Sequence, residues 1–128
     1  MAKPARVVQE GSLTLADVMA ETSGVKELVI RVGDKTGTIV YRDLSFWERN
    51  LALSAATEYY SDEAGNMRTR FHLESYYEEC LKRMIEQAPF TINLITLRGM
   101  SREVGDQLVT IVPHPMDWAA KAEATKKE

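Results

Sequence analysis

The sequence predicts an α+β fold in which an N-terminal β-hairpin packs on a small bundle of three or more helices. Two β-branched runs flank a glycine-rich break within residues 25–42, which is typical of a hairpin. A capping-box sequence at Ser45 and a long helical period from Leu73 to Ala88 predict the helical part. The chain has 128 residues, enough for one domain of ordinary size, and we assign residues 1–128 to a single domain.

The first segments are short. Residues 1–11 have a mixed composition, and we expect a loose N-terminal arm there. Residues 12–21 are predicted to form a short helix that is capped by Ser12 or Thr14. Gly24 should end this helix, because glycine readily adopts the left-handed conformation that follows many helices.

Residues 25–42 carry the predicted β-hairpin. Val25 to Val32 alternates in part between apolar and charged residues, and Thr38 to Tyr41 resumes the β-branched and aromatic character. The break from Gly33 to Gly37 is longer than two residues, so we expect a loop or a bulge at the tip. Its Lys-Thr pair lacks the residue order of a phosphate-binding loop, and a strand follows it, so we interpret it as a hairpin loop.

Residues 45–60 are predicted to form the first long helix. The Ser45 hydroxyl is placed to accept the amide hydrogen of Glu48, and the Glu48 carboxylate to accept that of Ser45. An apolar stripe with a spacing of four residues runs along this helix, the pattern of an amphipathic helix. Its members are Trp47, Leu51, Ala55 and Tyr59, widened by Phe46 and Leu53.

Residues 69–88 are predicted to form the second long helix, which Pro89 ends. Its apolar positions follow the template of a buried helical face. They are Leu73, Tyr76, Tyr77, Cys80, Leu81, Met84, Ile85 and Ala88. Cys80 lies within this stripe, so we expect a buried and unreactive thiol with a raised pKa. The polar segment 61–66 is interpreted as the turn between the two helices.

Three segments follow Pro89. Residues 90–97 alternate and are β-branched, which favours a strand, but an extension of the helical part is an open alternative. Residues 101–112 are predicted to form a third helix, weakened by Gly105 by about 1 kcal/mol relative to alanine. Residues 117–128 are rich in alanine and lysine, which is consistent with a short helix that frays at its end.

Composition and charge restrict the class of protein. The net charge is −3, whereas a nucleic-acid-binding protein normally shows a basic face, so we expect no nucleic-acid partner. The longest mostly apolar run, residues 90–97, is too short to cross a bilayer, and no signal peptide is recognisable after Lys3 and Arg6. The single cysteine fits a reducing compartment. We therefore expect a soluble intracellular protein without a membrane partner.

The sequence contains no recognisable set of catalytic, cofactor-binding or metal-binding residues. The acidic turn at residues 62–66 lacks the alternating oxygen ligands and the final glutamate of an EF-hand. His72 and Glu74 form a His-x-Glu, but the cysteine pair of a zinc deaminase is absent. We therefore predict no enzyme activity, no cofactor and no metal. The open alternative is an enzyme whose site is assembled from scattered residues such as His72, Glu74 and Arg102.

Aromatic residues concentrate on the two predicted long helices. Such a set belongs more often to a core than to a binding surface, but neighbours on a helix point about 100° apart, so one of each adjacent pair should lie near the surface. Exposed aromatic residues are enriched in protein interfaces. The candidates for partner binding are Trp47, Tyr59, Tyr60, Tyr76, Met116 and Trp118.

The segment from residue 38 to residue 88 also carries a particular order of motifs. A strand ends in a charged residue, and the helix start Leu44-Ser45-Phe46-Trp47-Glu48 follows. An acidic glycine turn at residues 62–66 and an amphipathic helix from Phe71 to Ala88 complete the order. In these features the chain resembles the tail assembly chaperones of long-tailed, siphovirus-type bacteriophages.

The resemblance implies a non-enzymatic protein of the host cytoplasm. Members of that family cover the tape measure protein before the tail tube assembles around it, and they help to recruit tail tube subunits. The resemblance therefore implies the tape measure protein and the tail tube protein as partners, together with a homo-oligomer. The alternative is a small structural tail or connector subunit that is retained in the virion.

Overall fold

A computed structural model describes residues 11–19 and 24–115 of the chain. The fold is α+β, as the sequence predicts, and it begins with the N-terminal hairpin after one short helical turn. In chain order the elements are α1 (Leu15–Val18), β1 (Lys26–Val32), β2 (Lys35–Tyr41), α2 (Phe46–Ala55), β3 (Thr57–Ser61), β4 (Met67–Phe71), α3 (Leu73–Met84), β5 (Ile85–Gln87), α4 (Leu94–Gly99), α5 (Arg102–Leu108) and a 3₁₀ turn (Val109–Ile111). The predicted arm lies outside these residues except for Gly11, and so does the C-terminal segment 117–128.

The β1–β2 hairpin is tighter than the sequence predicts. Its antiparallel register runs from Lys26 opposite Tyr41 to Val32 opposite Lys35, which leaves a two-residue turn at Gly33 and Asp34. Gly33 has a φ of 62°, a conformation that a type II′ turn requires at its first central position and that glycine adopts without steric cost. The expected longer loop is therefore wrong. The short strand β5 extends this hairpin to a three-stranded sheet of order β1-β2-β5.

Helix α2 begins as predicted and ends earlier. The Glu48 amide donates to the Ser45 hydroxyl, and the Ser45 amide donates to the Glu48 carboxylate, both at 3.1 Å. The helix stops at Ala55 instead of continuing to residue 60. At its end the Thr57 hydroxyl donates to the Leu53 carbonyl at 2.7 Å. The chain then enters β3, because the β-branched and aromatic residues there pair with a second strand.

A second β-hairpin, β3–β4, replaces the predicted helix–helix turn. Thr57 pairs with Phe71 at its base, and Ser61 pairs with Met67 at its tip. The tip has the signature of a type I turn closed by a left-handed glycine. The Gly65 amide donates to the Asp62 carbonyl at 3.0 Å, and Gly65 has a φ of 82°. The prediction of two helices joined across residues 61–66 is therefore wrong.

The residues on either side of Pro89 form three helices, a short strand and an irregular link. Helix α3 starts at Leu73, since the residues before it are in β4, and it ends at Met84, where the chain turns into β5. Residues 90–93 are irregular and the helix α4 begins at Leu94, capped by the Asn93 side chain, so no strand forms within residues 90–97. Helix α5 and the 3₁₀ turn together occupy residues 102–111, which confirms the predicted third helix.

The core lies between α2, α3, α5 and the inner face of the three-stranded sheet. Its buried side chains are Ile30, Ile39, Ala52, Ala56, Tyr76, Cys80, Leu81, Met84, Leu108 and Val112. The predicted burial of Cys80 is confirmed, and this burial raises the pKa of its thiol. Thiolate chemistry at Cys80 is thereby suppressed.

Candidate protein-binding surface

The structure divides the aromatic candidates between surface and core. Trp47 and Tyr59 are exposed, with 68% and 70% of their surface accessible, and Tyr60 is half-buried. Tyr76 is fully buried, so its selection as a surface residue is wrong. Met116 and Trp118 lie outside the described residues.

Tyr76 is a structural residue of the core. Its hydroxyl donates to the carbonyl of Pro113 at 2.6 Å, and its ring lies 5.7 Å from that of Phe71 between centroids. Burial raises the pKa of Tyr76 well above its usual range. The side chain therefore joins α3 to the segment after the 3₁₀ turn and has no surface left for a partner.

The apolar stripe of α2 faces solvent. Trp47, Leu51 and Ala55 are all exposed, whereas the buried positions of the helix and its end are Ala52 and Ala56. The reason is steric: small alanine side chains allow α2 to approach α3 closely, and the large Trp47 then has to lie on the opposite side. We call Trp47, Leu51 and Ala55 the α2 stripe.

One side of the β3–β4 hairpin is exposed and carries no charge. Residues directly opposite each other in an antiparallel pair share one face of the sheet. This uncharged side, which we call the hairpin face, consists of Thr57, Tyr59, Ser61, Met67, Thr69 and Phe71. Met67 is 68% exposed and Phe71 is 42% exposed, so apolar surface extends over its whole length.

The opposite side of the same hairpin holds its charged groups. The Arg70 guanidinium lies 4.6 Å from the centroid of the Tyr60 ring, a cation–π distance. Glu58 lies within 2.8 Å of the His72 ring and 3.6 Å of Arg70, and the His72 hydrogen bond is the main reason why the pKa of Glu58 is lowered. The hairpin is therefore amphipathic, with one neutral face and one charged face.

A groove continues the hairpin face towards the body of the protein. This cavity of about 500 Å³ is formed between α2, the base of the hairpin and the end of the described chain. Its lining is Leu53, Thr57, Thr69, Phe71, Leu73, His114 and Pro115. Its size lies within the usual range of binding clefts, and most of its side chains are apolar.

An ion pair holds the start of α2 against the sheet. Arg42, the residue after β2, forms two hydrogen bonds to the Glu48 carboxylate, at 2.8 and 2.7 Å. Chiefly through Arg42, the pKa of Glu48 falls to about 2. The Arg42 amide also donates to the Met84 carbonyl at 2.9 Å. Both groups are partly buried, so this contact is screened less than a surface ion pair.

In the turn at the tip of the second hairpin, the Asp62 carboxylate has a structural role. One Asp62 carboxylate oxygen accepts the amide hydrogens of Ala64 and Asn66, and the other oxygen binds Arg68 at 2.9 Å. The hydrogen bond from Arg68 is the main reason why the pKa of Asp62 is lowered. These contacts occupy the oxygens that a cation would need.

Two of the three residues of the enzyme alternative, Glu74 and Arg102, line one cavity, whereas His72 lies outside it. His72 is bound to Glu58, while Glu74 is bound to Arg98 at 2.7 Å. Glu74 and Arg102 line a cavity of about 300 Å³ to which His72 does not contribute. Across residues 11–19 and 24–115, no three His, Cys, Asp or Glu side chains are grouped as metal ligands would be. In the same residues, no helix has the length and apolar character needed to cross a membrane.

Of the hairpin face, sequence reasoning found only Tyr59 and missed the other members, namely Thr57, Ser61, Met67, Thr69 and Phe71. A usable signal was present. Two runs of β-branched and aromatic residues, 57–61 and 67–71, flank a turn sequence with glycine in its fourth position. The same residues also fit a helix, because Tyr59 continues the spacing of Trp47, Leu51 and Ala55.

A comparison of the chain with known proteins gave no match. No protein-family model matches the chain, and neither a curated protein nor a solved structure matches it.

Proposed function

We propose that the protein is a non-enzymatic tail assembly chaperone of a long-tailed bacteriophage. In this role it binds the tape measure protein in the host cytoplasm and helps to recruit tail tube subunits. The observation that carries the proposal is the neutral hairpin face, which is exposed along its length and continues into a groove of about 500 Å³.

The hairpin face supports protein binding because its outer apolar residues, Tyr59 and Met67, contribute little to the core. Tyr59 and Met67 leave about two-thirds of their surface in water, at 70% and 68%. Contiguous exposed apolar surface with a charged border is typical of interaction sites. A groove next to an apolar face suits an amphipathic helix, which places its apolar side chains into the groove. An extended helical protein such as a tape measure protein presents such a surface repeatedly.

The order of elements keeps three of the four features on which the resemblance to tail assembly chaperones rests. They are a strand followed by the charged residue Arg42, a helix capped by Ser45 and Glu48, and the amphipathic helix α3. The fourth feature, the acidic glycine turn, closes a β-hairpin and does not join two helices. The β3–β4 hairpin stands where a turn between helices was expected.

Co-purification tests the proposal. The tagged protein is co-expressed with the tape measure protein encoded in the same genome, and we expect the two to elute together. Tyr59→Asp combined with Met67→Asp should reduce the captured tape measure protein more than tenfold, because both changes place charge on the hairpin face. Ile95→Asp is the matched control, since Ile95 is 84% exposed on α4. Failure of the unaltered protein to capture the tape measure protein would contradict the proposal.

Two further measurements separate the chaperone from its alternative. Tail tube protein should join the captured complex only when the chaperone is present. Mass spectrometry of mature particles should detect the tail tube protein without this chain. Its presence at a fixed copy number would favour a structural tail or connector subunit.

A further inference from the structure

The groove beside the hairpin face is lined in part by the last described residues of the chain. His114 and Pro115 contribute to its lining, together with side chains of α2, the second hairpin and α3. The Tyr76 hydroxyl donates to the Pro113 carbonyl at 2.6 Å, which fixes the course of the chain just before the groove. Pro115 is buried, so the chain runs along the body of the protein where the described residues end.

The groove is open and mostly apolar. In its lining, Phe71 is 42% exposed and Leu73 is 46% exposed. Among the described residues that line it, only His114 is ionisable. A cleft of about 500 Å³ accommodates a small ligand, and therefore also one or two large apolar side chains. The groove is thus complementary to an apolar occupant.

The sequence after the groove supplies two such side chains. Met116 and Trp118 are the first and third residues after Pro115, and residues 119–128 are alanine, threonine, lysine and glutamate. In an extended chain, residues two positions apart lie on the same side, so both side chains can enter one groove. The Cα atom of Trp118 is within about 11 Å of that of Pro115, since an extended chain advances at most ~3.6 Å per residue.

We propose that Met116 and Trp118 occupy this groove within the same molecule, and that a partner must displace them in order to bind there. The contact itself does not depend on the proposed function, whereas its regulatory consequence rests on that function. Any other occupant has to compete with side chains that are tethered to the groove at Pro115. A short tether gives an effective concentration in the millimolar range.

The tether makes even a weak contact effective. If the same residues bound as a separate peptide with a dissociation constant of about 0.1 mM, an effective concentration of about 1 mM would leave the groove open in roughly one molecule in ten. The apparent affinity for a partner falls in proportion to the open fraction. Residues 116–128 should therefore weaken the binding of a partner to the groove about tenfold.

Tryptophan fluorescence tests the contact in the full chain. Trp47→Phe leaves Trp118 as the single tryptophan. Its emission should be blue-shifted relative to that of Trp47 in the Trp118→Phe variant, because Trp47 is 68% exposed. Acrylamide should quench Trp118 at least about threefold less than it quenches Trp47. This protection should not change between about 1 and 100 μM protein, because a contact within one molecule is independent of concentration.

Charge placed in the groove locates the contact. In the Trp47→Phe background, Leu73→Asp introduces a carboxylate at the first residue of α3, where the helix dipole favours negative charge. Thr69→Lys introduces an ammonium group at an exposed strand position. Each change should shift the Trp118 emission to the red and restore quenching. Ile95→Asp on α4, at a site 84% exposed, is the matched control and should alter neither. Circular dichroism should show that all variants remain folded.

Capture of the tape measure protein tests the regulatory consequence. Trp118→Ala should strengthen the apparent affinity by about fivefold to tenfold, because the groove is then open in most molecules. A synthetic peptide of residues 115–128, added at about 1 mM, should reverse most of this gain by binding the groove as a separate molecule.

The outcomes separate this inference from the proposed function. A readily quenched Trp118, protection that depends on protein concentration, or protection that Leu73→Asp and Thr69→Lys both leave intact would overturn the inference. An affinity that is unchanged or lower in Trp118→Ala would overturn it as well. A protected Trp118 in a chain that never captures the tape measure protein would refute only the proposed function. An exposed Trp118 in a chain that captures it would refute only this contact.

Discussion

The two β-hairpins of this protein have similar geometry and opposite relations to the core. The β1–β2 hairpin buries Ile30 and Ile39 on one face and gains a third strand, β5. The β3–β4 hairpin has no buried residue and remains two-stranded. An isolated two-stranded hairpin is marginally stable in water, so β3–β4 depends on its attachment to α2 and α3. The comparison shows that strand pairing alone does not reveal which apolar residues stabilise the fold and which are available to a partner.

The two hairpins are also attached to the rest of the protein in different ways. The β1–β2 hairpin is fastened by core packing, by the Arg42–Glu48 ion pair and by Gln107 at its outer edge. The second hairpin is fastened at its base, where the His72 amide donates to the Ala56 carbonyl at 2.8 Å and Phe71 packs near Tyr76. The side chains of its outer part can therefore contact a partner without disturbing the packing of the core.

The largest difference should appear when one apolar residue of each hairpin is truncated. Ile39→Ala leaves a cavity at a fully buried site and should lower the free energy of unfolding by about 3 kcal/mol. Met67→Ala, at a site 68% exposed, should change it by less than about 0.5 kcal/mol. Urea denaturation measures both values. Comparable losses would mean that the second hairpin also contributes to the core.

An intermediate effect should come from the ion pair that joins β2 to α2. The folded-state pKa of Glu48 is about 2, below its usual value of 4.5, so its stabilising contribution is complete above about pH 4.5 and is lost as the pH falls towards 2. Glu48→Gln retains a capping-box side chain and removes the charge. It should lower the free energy of unfolding at pH 7 by about 2 kcal/mol and flatten its decrease between pH 5 and 2.

The matched control for this prediction is Glu58→Gln in the second hairpin. Glu58 is exposed to solvent, which screens its ion pairs, so the pH dependence of stability should change little. Denaturant titrations at several pH values provide both comparisons. Identical pH profiles for Glu48→Gln and the unaltered chain would show that Arg42 does not stabilise the fold through charge.

The smallest effect should come from the edge of the first hairpin. The Gln107 side chain on α5 accepts from the Arg31 amide and donates to the Arg31 carbonyl, both at 2.8 Å, so it imitates a neighbouring strand. Gln107→Ala should cost about 1 kcal/mol and accelerate hydrogen exchange of the Arg31 amide. Gln107→Glu should keep that amide more protected than alanine does, because it retains an acceptor. An unchanged hydrogen-exchange rate of the Arg31 amide in both variants would show that the Gln107 side chain does not protect it.

Sequence reasoning succeeded where local chemistry and core packing agree. The first hairpin follows from alternation around Gly33, and the start of α2 follows from Ser45 and Glu48, because each requires only neighbouring residues. The burial of Cys80 follows from the period of α3, since the face with that period is the face that meets the core. The surface candidates Trp47 and Tyr59 lie on the outside of the molecule, although Tyr59 lies on a strand instead of a helix.

What the sequence by itself determined is therefore local: the capping box of α2, the presence of the first hairpin and the periodic face of α3. Tertiary structure decided which apolar stripe is inside. Trp47, Leu51 and Ala55 have the spacing of a core face, but Ala52 and Ala56 lie against α3 because only small side chains permit the close contact of the two helices. Pairing with β4 likewise decided that α2 ends at Ala55, since residues 57–61 lie in the second hairpin and not in the helix.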